Sequence, residues 1–533
     1  YFDYDSKKSG GITTSHLRFG KTPIQSTYLI EQADFVACHC QAYIRKYDMV
    51  QDLKDGGTFL LNCEWSPDEV GQHLPGSAKK YMAEHNIKFY IIDGIKIGKE
   101  IGLGGRINTI LQSAFFKLAQ IIPEEEAIKY MKEKALASYA KKGDDVVNMN
   151  YQAIDRGAQE VVEVPIPADW KNATEEEKAG KVEEGRPEVV AFVNKIQIPI
   201  NKCKGDELPV STFTDMVDGA FPQGTSAYEK RAVAVDVPCW FPDSCIQCNQ
   251  CAYVCPHAVV RPVVMTEEEK NHAPKDMKMK PMAGMPGYYF AISVSTFDCT
   301  GCGVCVHVCP GNKKSDTLRM RPFESQEGEQ EVFNFGYDLP EKPEVFEKFK
   351  KTTVKGSQFV PPLLEFSGAC AGCGETPYAK LITQICGDRM MIANATGCTS
   401  IWAGSMPSTP YTVNKQGKGP AWGNSLFEDN AEYGFGMKLA QDSNRQSLRN
   451  KLDEILADTD NREVKEAIER YYETYEDAEA NAGATCQLIE ALEHCQCEKA
   501  HCILKEKEFL SKKSQWIFGG DGWAYDIGFG GLD

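Results

Sequence analysis

Two stretches of this 533-residue chain share one cysteine pattern. Residues 245–256 read Cys-Ile-Gln-Cys-Asn-Gln-Cys-Ala-Tyr-Val-Cys-Pro, and residues 299–310 read Cys-Thr-Gly-Cys-Gly-Val-Cys-Val-His-Val-Cys-Pro. Each stretch is C-x2-C-x2-C-x3-C followed by proline, a spacing typical of proteins that hold two [4Fe–4S] clusters. A pair of zinc sites is the alternative. It is disfavoured because zinc knuckles use C-x2-C pairs and not this duplicated run.

The two runs are predicted to exchange their last ligands. Three thiolates spaced by two residues wrap one corner of a cubane cluster, and the fourth thiolate crosses to the other cluster where proline turns the chain away. The first cluster is therefore predicted on Cys245, Cys248, Cys251 and Cys309. The second is predicted on Cys299, Cys302, Cys305 and Cys255. The segment between the runs is predicted to be a packed loop containing Met277, Met279, Met282 and Met285.

Charge and composition narrow the class of protein. The chain has 59 Lys+Arg and 76 Asp+Glu, a net charge of −17, with 42% hydrophobic and 25% charged residues. These are ordinary globular proportions, and the acidic balance argues against nucleic acid and membrane surfaces as partners. No apolar run is long enough for a transmembrane helix. The polar start and 21 cysteines favour a reducing compartment, by default the cytoplasm.

The order of apolar runs predicts four parts. Residues 1–180 alternate strand-like and helix-like segments, which predicts a multidomain α/β protein that begins with a mostly parallel sheet. Strands are expected at 35–39, 58–62 and 88–92, and helices at 108–122 and 124–140. Residues 181–222 are a small linker domain rich in Pro, Lys and Gly. Residues 223–341 hold the cysteine runs, and residues 342–533 form the last domain.

Further cysteines lie downstream of the two runs. Cys370-Ala-Gly-Cys373 and Cys398 could hold a third cluster, but a cubane normally takes four thiolates. A zinc site, a redox pair or a plain loop fits this spacing as well. A last group allows either a zinc site or ordinary helix-face thiols, and consists of Cys486, Cys495, Cys497 and Cys502 with His494 and His501.

The segment 516–523, Trp-Ile-Phe-Gly-Gly-Asp-Gly-Trp, carries a second cofactor signal. Glycine lets a backbone approach a diphosphate closely, and Asp521 offers a hard oxygen ligand for Mg²⁺. Gly-Asp-Gly opens the thiamine-diphosphate motif, whose second half is an Asn-containing turn some tens of residues on. Only 12 residues follow Asp521, so that half is missing, and an ordinary turn is the alternative.

Together, and in this order, these stretches resemble the single-chain pyruvate:ferredoxin (flavodoxin) oxidoreductases. Residues 4–11 and 15–20 resemble the start of that family's third domain. The resemblance covers the whole chain and implies an interior part of a protein about twice as long, lacking both ends. It implies a Rossmann-like gamma-type domain at 1–180, an inserted two-cluster ferredoxin domain, and a truncated thiamine-diphosphate-binding domain.

The resemblance also implies cofactors and their residues. Three [4Fe–4S] clusters, thiamine diphosphate and Mg²⁺ are expected, with coenzyme A as co-substrate. The implied ligands of the third cluster are Cys370, Cys373 and Cys398, with a fourth beyond Asp533. The residues implied around thiamine diphosphate are Glu375, Cys398, Gly520, Asp521 (the Mg²⁺ ligand), Gly522 and Trp523. Lys8 and Asn108 fall near coenzyme A positions, although a surface lysine and a helix-capping asparagine explain them equally well.

The implied reaction converts pyruvate and coenzyme A to acetyl-CoA and CO₂, with electrons passed to ferredoxin or flavodoxin. The pyruvate-binding and catalytic residues are expected outside these 533 residues, so the chain alone is expected to be inactive. A homodimer is expected. A hydrogenosome is the alternative to the cytoplasm as the location. Another 2-oxoacid:ferredoxin oxidoreductase and a non-catalytic polyferredoxin are the competing functions. A basic docking patch, or else solvated loop charge, is expected at Lys275, Lys278, Lys280, Lys313 and Lys314.

Overall fold

The computed structural model describes residues 1–25, 29–174, 181–495 and 497–531. Their contacts divide the chain into two compact units. The first unit comprises residues 1–5, 12–185 and 190–215, and the second comprises residues 6–11, 186–189 and 216–533. The division into four sequence domains stays a prediction.

In its described residues, the first unit has six strands, seven helices and the last part of an eighth helix. The strands are β1 (Phe2–Tyr4), β2 (Thr13–Ser15), β3 (Ala33–Cys38), β4 (Leu53–Asn62), β5 (Lys88–Ile92) and β6 (Val162–Val164). The helices are α1 (Val70–His73), α2 (Gly76–Glu84), α3 (Gly94–Glu100), α4 (Asn108–Ala119), α5 (Glu124–Tyr139), α6 (Asp144–Gln159), α7 (Pro187–Phe192) and α8 (Ile198–Asn201).

The sheet of the first unit has the order β3-β4-β5-β6. The first three strands are parallel and β6 is antiparallel, which confirms the predicted mostly parallel sheet. Phe59 and Leu61 are buried on one face of it and Leu60 on the other, as expected for strands covered on both faces. Helix α4 ends three residues before the predicted boundary, because Gln120 adopts a left-handed backbone (φ 48°) that stops the helix.

The second unit contains a further set of strands and helices, besides a short helical turn at Gly528–Gly531. The strands are β7 (Asp236–Trp240), β8 (Val260–Thr266), β9 (Lys280–Pro281), β10 (Tyr288–Val294), β11 (Leu318–Pro322), β12 (Met390–Ala395), β13 (Ala421–Ser425) and β14 (Ser514–Phe518). The helices are α9 (Gln250–Tyr253), α10 (Glu267–Asn271), α11 (Val304–Val308), α12 (Glu329–Asp338), α13 (Pro343–Lys348), α14 (Val354–Ser357), α15 (Thr376–Cys386), α16 (Cys398–Ala403), α17 (Asn430–Asp458), α18 (Arg462–Glu473), α19 (Ala478–Glu493) and α20 (Glu498–Lys505).

The cysteine runs lie among short antiparallel strands. Strands β8, β10 and β9 form one small sheet, and β11 pairs with β7 in another. Each run leads into a short helix, α9 or α11. Met277, Met282 and Met285 are buried in the same hydrophobic core as the cysteines, which confirms the predicted packing of these methionines. The segment between the runs is not a plain loop, because β8, β9 and β10 lie in it.

The C-terminal part of the second unit is built on a parallel sheet. Strand β12 lies between β13 and β14 and is parallel to both. Helix α15 precedes β12 in the chain, and helices α17 to α20 form a bundle with a core of its own. In the described part of the chain, no helix is both long and apolar enough to cross a membrane.

Gly157 in α6 tests the packing of α6 on α4. A Cβ atom at this position would lie 2.3 Å from the carbonyl oxygen of Ile110, so we expect Gly157→Ala to destabilise the first unit by about 1–3 kcal/mol. Gly483 in α19 is the control, because its Cβ would meet nothing within 4 Å. We expect Gly483→Ala to stabilise its helix by up to about 1 kcal/mol. Hydrogen exchange of the two helices measures both effects, and equal effects would contradict the packing.

Candidate iron–sulfur and cofactor site

The structure brings the eight cysteines of the two runs into two groups. The Cys251 thiol is reached by the charges of Cys245, Cys248 and Cys309. Among the charges that reach the Cys305 thiol, Cys255 comes first and Cys251 of the first group second, and Cys255 also acts on Cys299 and Cys302. Cys255 and Cys309 thus each act on thiols of the other run, as the proposed exchange of ligands requires.

A cavity lies at the first of these groups. All four of its cysteines line the cavity, together with Trp240 and Phe290. In the described residues, no three or more His, Cys, Asp or Glu side chains lie close enough together to hold a single metal ion. A cubane distributes its four thiolates over four irons and spaces them more widely than one ion does, so this donor set fits a cluster.

Burial keeps the Cys251 and Cys299 thiols protonated while no metal binds them. It raises the pKa of Cys299 to about 12, and it raises the pKa of Cys251 further still. Metal ligation must therefore displace protons from buried sulfur. Backbone N–H groups also point at sulfur: Gln247 donates to Cys245 Sγ and Gly301 donates to Cys299 Sγ, each at 3.4 Å. Such hydrogen bonds help to set the potential of a cluster.

A second set of candidate residues meets at one edge of the parallel sheet. Cys398 begins α16 directly after β12, and Asp521 follows β14. Because β12 and β14 are parallel, their carboxyl ends share an edge, where open α/β sheets bind ligands. The charges of Glu375, Cys370 and Asp521 all reach the Cys398 thiol. The fold thus assembles residues that lie up to 151 positions apart in the sequence (521 − 370).

Glu375 is held in place at the start of α15. Trp402 Nε1–H donates a hydrogen bond to Glu375 Oε2 at 3.0 Å. Burial raises the pKa of the neighbouring Cys398 thiol, the Glu375 carboxylate raises it further, and the Lys8 ammonium lowers it. The site therefore combines a fixed carboxylate, a thiol and a lysine.

Lys8 belongs to a short segment, residues 6–11, that packs within the second unit. The Lys8 N–H donates to the Gly368 carbonyl at 2.9 Å, and Ser9 Oγ accepts from the Ala371 N–H at 2.7 Å. This segment therefore borders the Cys370–Cys373 loop, a contact that no sequence pattern signals. Asn108 lies exposed in the first unit as the first residue of α4, whose cap is Ile107.

The Cys370–Cys373 loop also touches the second cysteine group. The Gly372 N–H is directed at the Cys302 thiol and lowers its pKa, against the larger raising effect of burial. His257 spans the same junction: Nε2 lies 3.1 Å from the Ala369 carbonyl oxygen, and Nδ1 lies 3.4 Å from Thr300 Oγ1. Burial lowers the pKa of His257 to about 4, so the bridging imidazole is neutral at neutral pH. Sequence reasoning missed His257.

The Gly-Asp-Gly turn leaves its backbone accessible. A Cβ on Gly519 would lie 2.3 Å from the Trp523 ring, whereas one on Gly520 would meet nothing within 4 Å. Trp523 is buried, and within the described residues its indole N–H has no acceptor. Asp521 is exposed. The turn therefore offers an open backbone with a carboxylate beside it, which suits a metal–diphosphate group.

The predicted lysine patch is only partly available to a partner. Lys280 Nζ donates to the carbonyl oxygens of Pro242 and Cys245, at 2.6 and 3.0 Å. Lys278 Nζ lies 3.4 Å from Cys239 Sγ. These two side chains serve the fold around the first cysteine group. Lys275, Lys313 and Lys314 are exposed.

The cysteines of the helical bundle have local roles. Cys497 Sγ accepts a hydrogen bond from the Ala500 N–H at 3.3 Å and so caps α20. His494 and His501 each hydrogen-bond a carbonyl of their own helical turn. These contacts favour the helix-thiol interpretation over a zinc site.

The cysteine groups and their arrangement define an iron–sulfur protein, and comparison with known proteins agrees. Residues 244–313 match the family described as "4Fe-4S dicluster domain". Residues 1–160 match "Pyruvate ferredoxin/flavodoxin oxidoreductase", and residues 175–234 match a domain of unknown function.

Full-length relatives extend the match to the whole chain. The chain is 50% identical over 538 residues to the pyruvate-flavodoxin oxidoreductase of Klebsiella pneumoniae. It is 51% identical over 544 residues to the pyruvate:ferredoxin oxidoreductase of Moorella thermoacetica. Each alignment covers 100% of this chain and 45% of the relative. The chain is therefore homologous over its whole length to the pyruvate-flavodoxin and pyruvate:ferredoxin oxidoreductases, and it spans about half of their length.

A relative with a different printed acceptor also matches. The pyruvate dehydrogenase [NADP(+)] of Cryptosporidium parvum is 42% identical over 596 residues, which cover 100% of this chain and 30% of that protein. Pyruvate oxidoreductase subunit PORC of Thermotoga maritima, a solved structure, is similar at 21% identity with a TM-score of 0.20, over 26% of this chain and 67% of that one. A likeness of this size is no basis for comparing folds.

The charges around Cys398 yield a test of the site. The Glu375 carboxylate raises the pKa of Cys398 and the Lys8 ammonium lowers it. In iron-free protein, we therefore expect Glu375→Gln to speed alkylation of Cys398 by iodoacetamide near pH 8 and Lys8→Met to slow it, because the thiolate is the reactive form. Mass spectrometry of the Cys398 peptide measures the rates. Exposed Cys502 is the internal control, and equal changes at both thiols would contradict the geometry.

Proposed function

We propose that the complete protein converts pyruvate and coenzyme A to acetyl-CoA and CO₂, and passes two electrons one at a time through iron–sulfur clusters to ferredoxin or flavodoxin. One observation carries the proposal: the Cys370–Cys373 loop contacts Cys302 of the second cysteine group, while Cys370 itself reaches Cys398 at the sheet edge. The proposed cofactor site at the sheet edge therefore lies next to the proposed path of the electrons. Homology over the whole chain supports the same reaction.

Three clusters are assigned to the chain's own thiols. The first two take the eight cysteines of the duplicated runs, in the two groups described above. Cys370, Cys373 and Cys398 supply three ligands of the third cluster, and its fourth ligand is proposed to lie outside these residues. The contact of Gly372 with Cys302 supports a third cluster next to the second.

Thiamine diphosphate and Mg²⁺ are assigned to the edge of the parallel sheet. When bound there, thiamine diphosphate supplies the electron sink for decarboxylation. The Asp521 carboxylate would hold Mg²⁺, and the open backbone at Gly520 and Gly522 would admit the diphosphate beside buried Trp523. Glu375, fixed by Trp402, and Cys398 would line the cofactor. Pyruvate-binding residues are proposed to lie in a part of the protein outside this chain.

Electrons are proposed to leave through the first cluster. Its ligands Cys245, Cys248 and Cys309 are partly exposed, whereas Cys255, Cys299 and Cys305 of the second cluster are buried. Ile246 is 64% exposed on the loop between Cys245 and Cys248. An acidic carrier protein could therefore approach the first cluster most closely, with an apolar contact at Ile246.

The remaining assignments concern coenzyme A, the oligomeric state and the location. Lys8, exposed beside Cys398, is assigned to the anionic groups of coenzyme A. Asn108 shares this assignment from the resemblance alone. A homodimer is proposed. The cytoplasm is the proposed location, and a hydrogenosome is the alternative.

An assay of the complete protein tests the reaction. Under anaerobic conditions we expect pyruvate and coenzyme A together to drive reduction of flavodoxin, with CO₂ release. Asp521→Asn should lower this rate at least about tenfold at limiting Mg²⁺ because it removes a charged oxygen ligand. Asp526→Asn, an exposed carboxylate on the same turn, is the control and should retain the rate.

Other outcomes identify the competing functions. If the protein turns over another 2-oxoacid faster than pyruvate, that acid is its substrate. If dithionite reduces the carriers through the protein but no 2-oxoacid is turned over, the protein is an electron-transfer module.

Charge reversal tests the proposed exit of electrons. The double change Lys313→Glu and Lys314→Glu alters exposed lysines that follow the first cluster's Cys309. We expect the association rate with an acidic flavodoxin to fall about tenfold at low salt, and the loss to shrink at high salt. The control is Lys129→Glu with Lys134→Glu on exposed positions of α5. Equal losses in both double variants would contradict this docking site.

A further inference from the structure

Lys380 is a lysine with almost no access to solvent. It lies in α15, and its side chain is among the largest fully buried ones in the protein, at 2% exposure. A buried ammonium is costly unless charged or polar groups compensate it. Neither the cysteine spacing nor the Gly-Asp-Gly turn signals this residue.

The Lys380 ammonium is surrounded by the backbone of the first cysteine run. Nζ donates hydrogen bonds to the carbonyl oxygens of Ala252, Tyr253 and Cys255, the last two at 3.0 and 3.2 Å. These carbonyls lie between Cys251, assigned to the first cluster, and Cys255, assigned to the second. Lys380 therefore sits where the two cluster sites adjoin.

The charged groups that face Lys380 are mainly thiols. Cys255 and Cys251 favour its charged form, and the Arg261 guanidinium opposes it. Arg261 is itself paired with the buried Glu365 carboxylate. Among the described residues, no carboxylate forms an ion pair with Lys380. The three carbonyl acceptors around Nζ match the three N–H donors of an ammonium, so the side chain is held in its charged form.

We infer that Lys380 is a shared counterion of the two ferredoxin-type clusters, and that its positive charge raises the reduction potential of both. The inference rests on the proposed assignment of these clusters. Each four-thiolate cluster is anionic and gains one further negative charge when it accepts an electron. A fixed cation in a low-dielectric core stabilises the reduced form more than the oxidised form. The ammonium keeps its proton, and the electron arrives from the neighbouring cluster.

A structural role alone makes a different prediction. If Lys380 only tied α15 to the cysteine run, its loss would affect stability and cluster content but would not shift the potentials of both clusters together. Lys355 is a matched comparison. It is half-buried, with its ammonium 3.9 Å from the centre of the Phe349 ring, and the thiols whose charges act on it, Cys248 and Cys245, both belong to the first cluster.

The test is an electron paramagnetic resonance redox titration of the complete, anaerobically purified protein. Lys380→Met removes the charge and keeps an unbranched chain. We expect it to lower the equilibrium constant for reduction of each cluster about tenfold, a fall of about 59 mV in each potential. Lys355→Met should shift the first cluster only, by less, and its shift should shrink as salt is added.

Each outcome decides the inference. Unchanged potentials in Lys380→Met, with both clusters intact, would overturn it. If Lys380→Met fails to assemble clusters, Lys380→Arg decides: retained clusters at wild-type potentials support a counterion, and equal loss shows a packing role. Absence of the two ferredoxin-type signals from the unmodified protein would instead refute the proposed function, so the two failures are distinguishable.

Discussion

The contact between the Cys370–Cys373 loop and Cys302 is the constraint on which the functional account depends. It joins the parallel sheet, which carries Cys398 and Asp521 at one edge, to the core that holds the duplicated cysteine runs. His257 reinforces the junction by reaching Ala369 and Thr300 with opposite sides of a neutral ring. The proposed electron route from the sheet edge to the first run follows these contacts.

Burial and charge act together at this junction. Thiols with raised pKa values, such as Cys251 and Cys305, are protonated without iron and become anionic only as ligands of iron. Lys380 is a buried cation, and its charge is stabilised when those ligands become anionic. Cluster assembly and packing of α15 on the cysteine runs are consequently expected to stabilise each other.

Much of this arrangement could be predicted from the sequence, because the decisive signals are local. The duplicated spacing predicts which thiols group together, and the apolar runs predict the parallel strands of the first unit. His257, Lys380 and the Ser9–Ala371 contact could not be found in this way. Their partners lie 112, 125 to 128 and 362 residues away, and a single His, Lys or Ser carries no periodic signal. Lys280 had the right charge for a docking patch, but the fold uses its ammonium to bind carbonyls.

Three clusters are proposed to link the edge of the parallel sheet to the surface. The content of iron and acid-labile sulfide per chain in the complete, anaerobically purified protein, together with the spectrum of the reduced state, tests this directly. Three clusters of four irons should give about twelve irons per chain and three magnetically interacting signals. About eight irons with only two ferredoxin-type signals would mean that Cys370, Cys373 and Cys398 hold no cluster, which would contradict it.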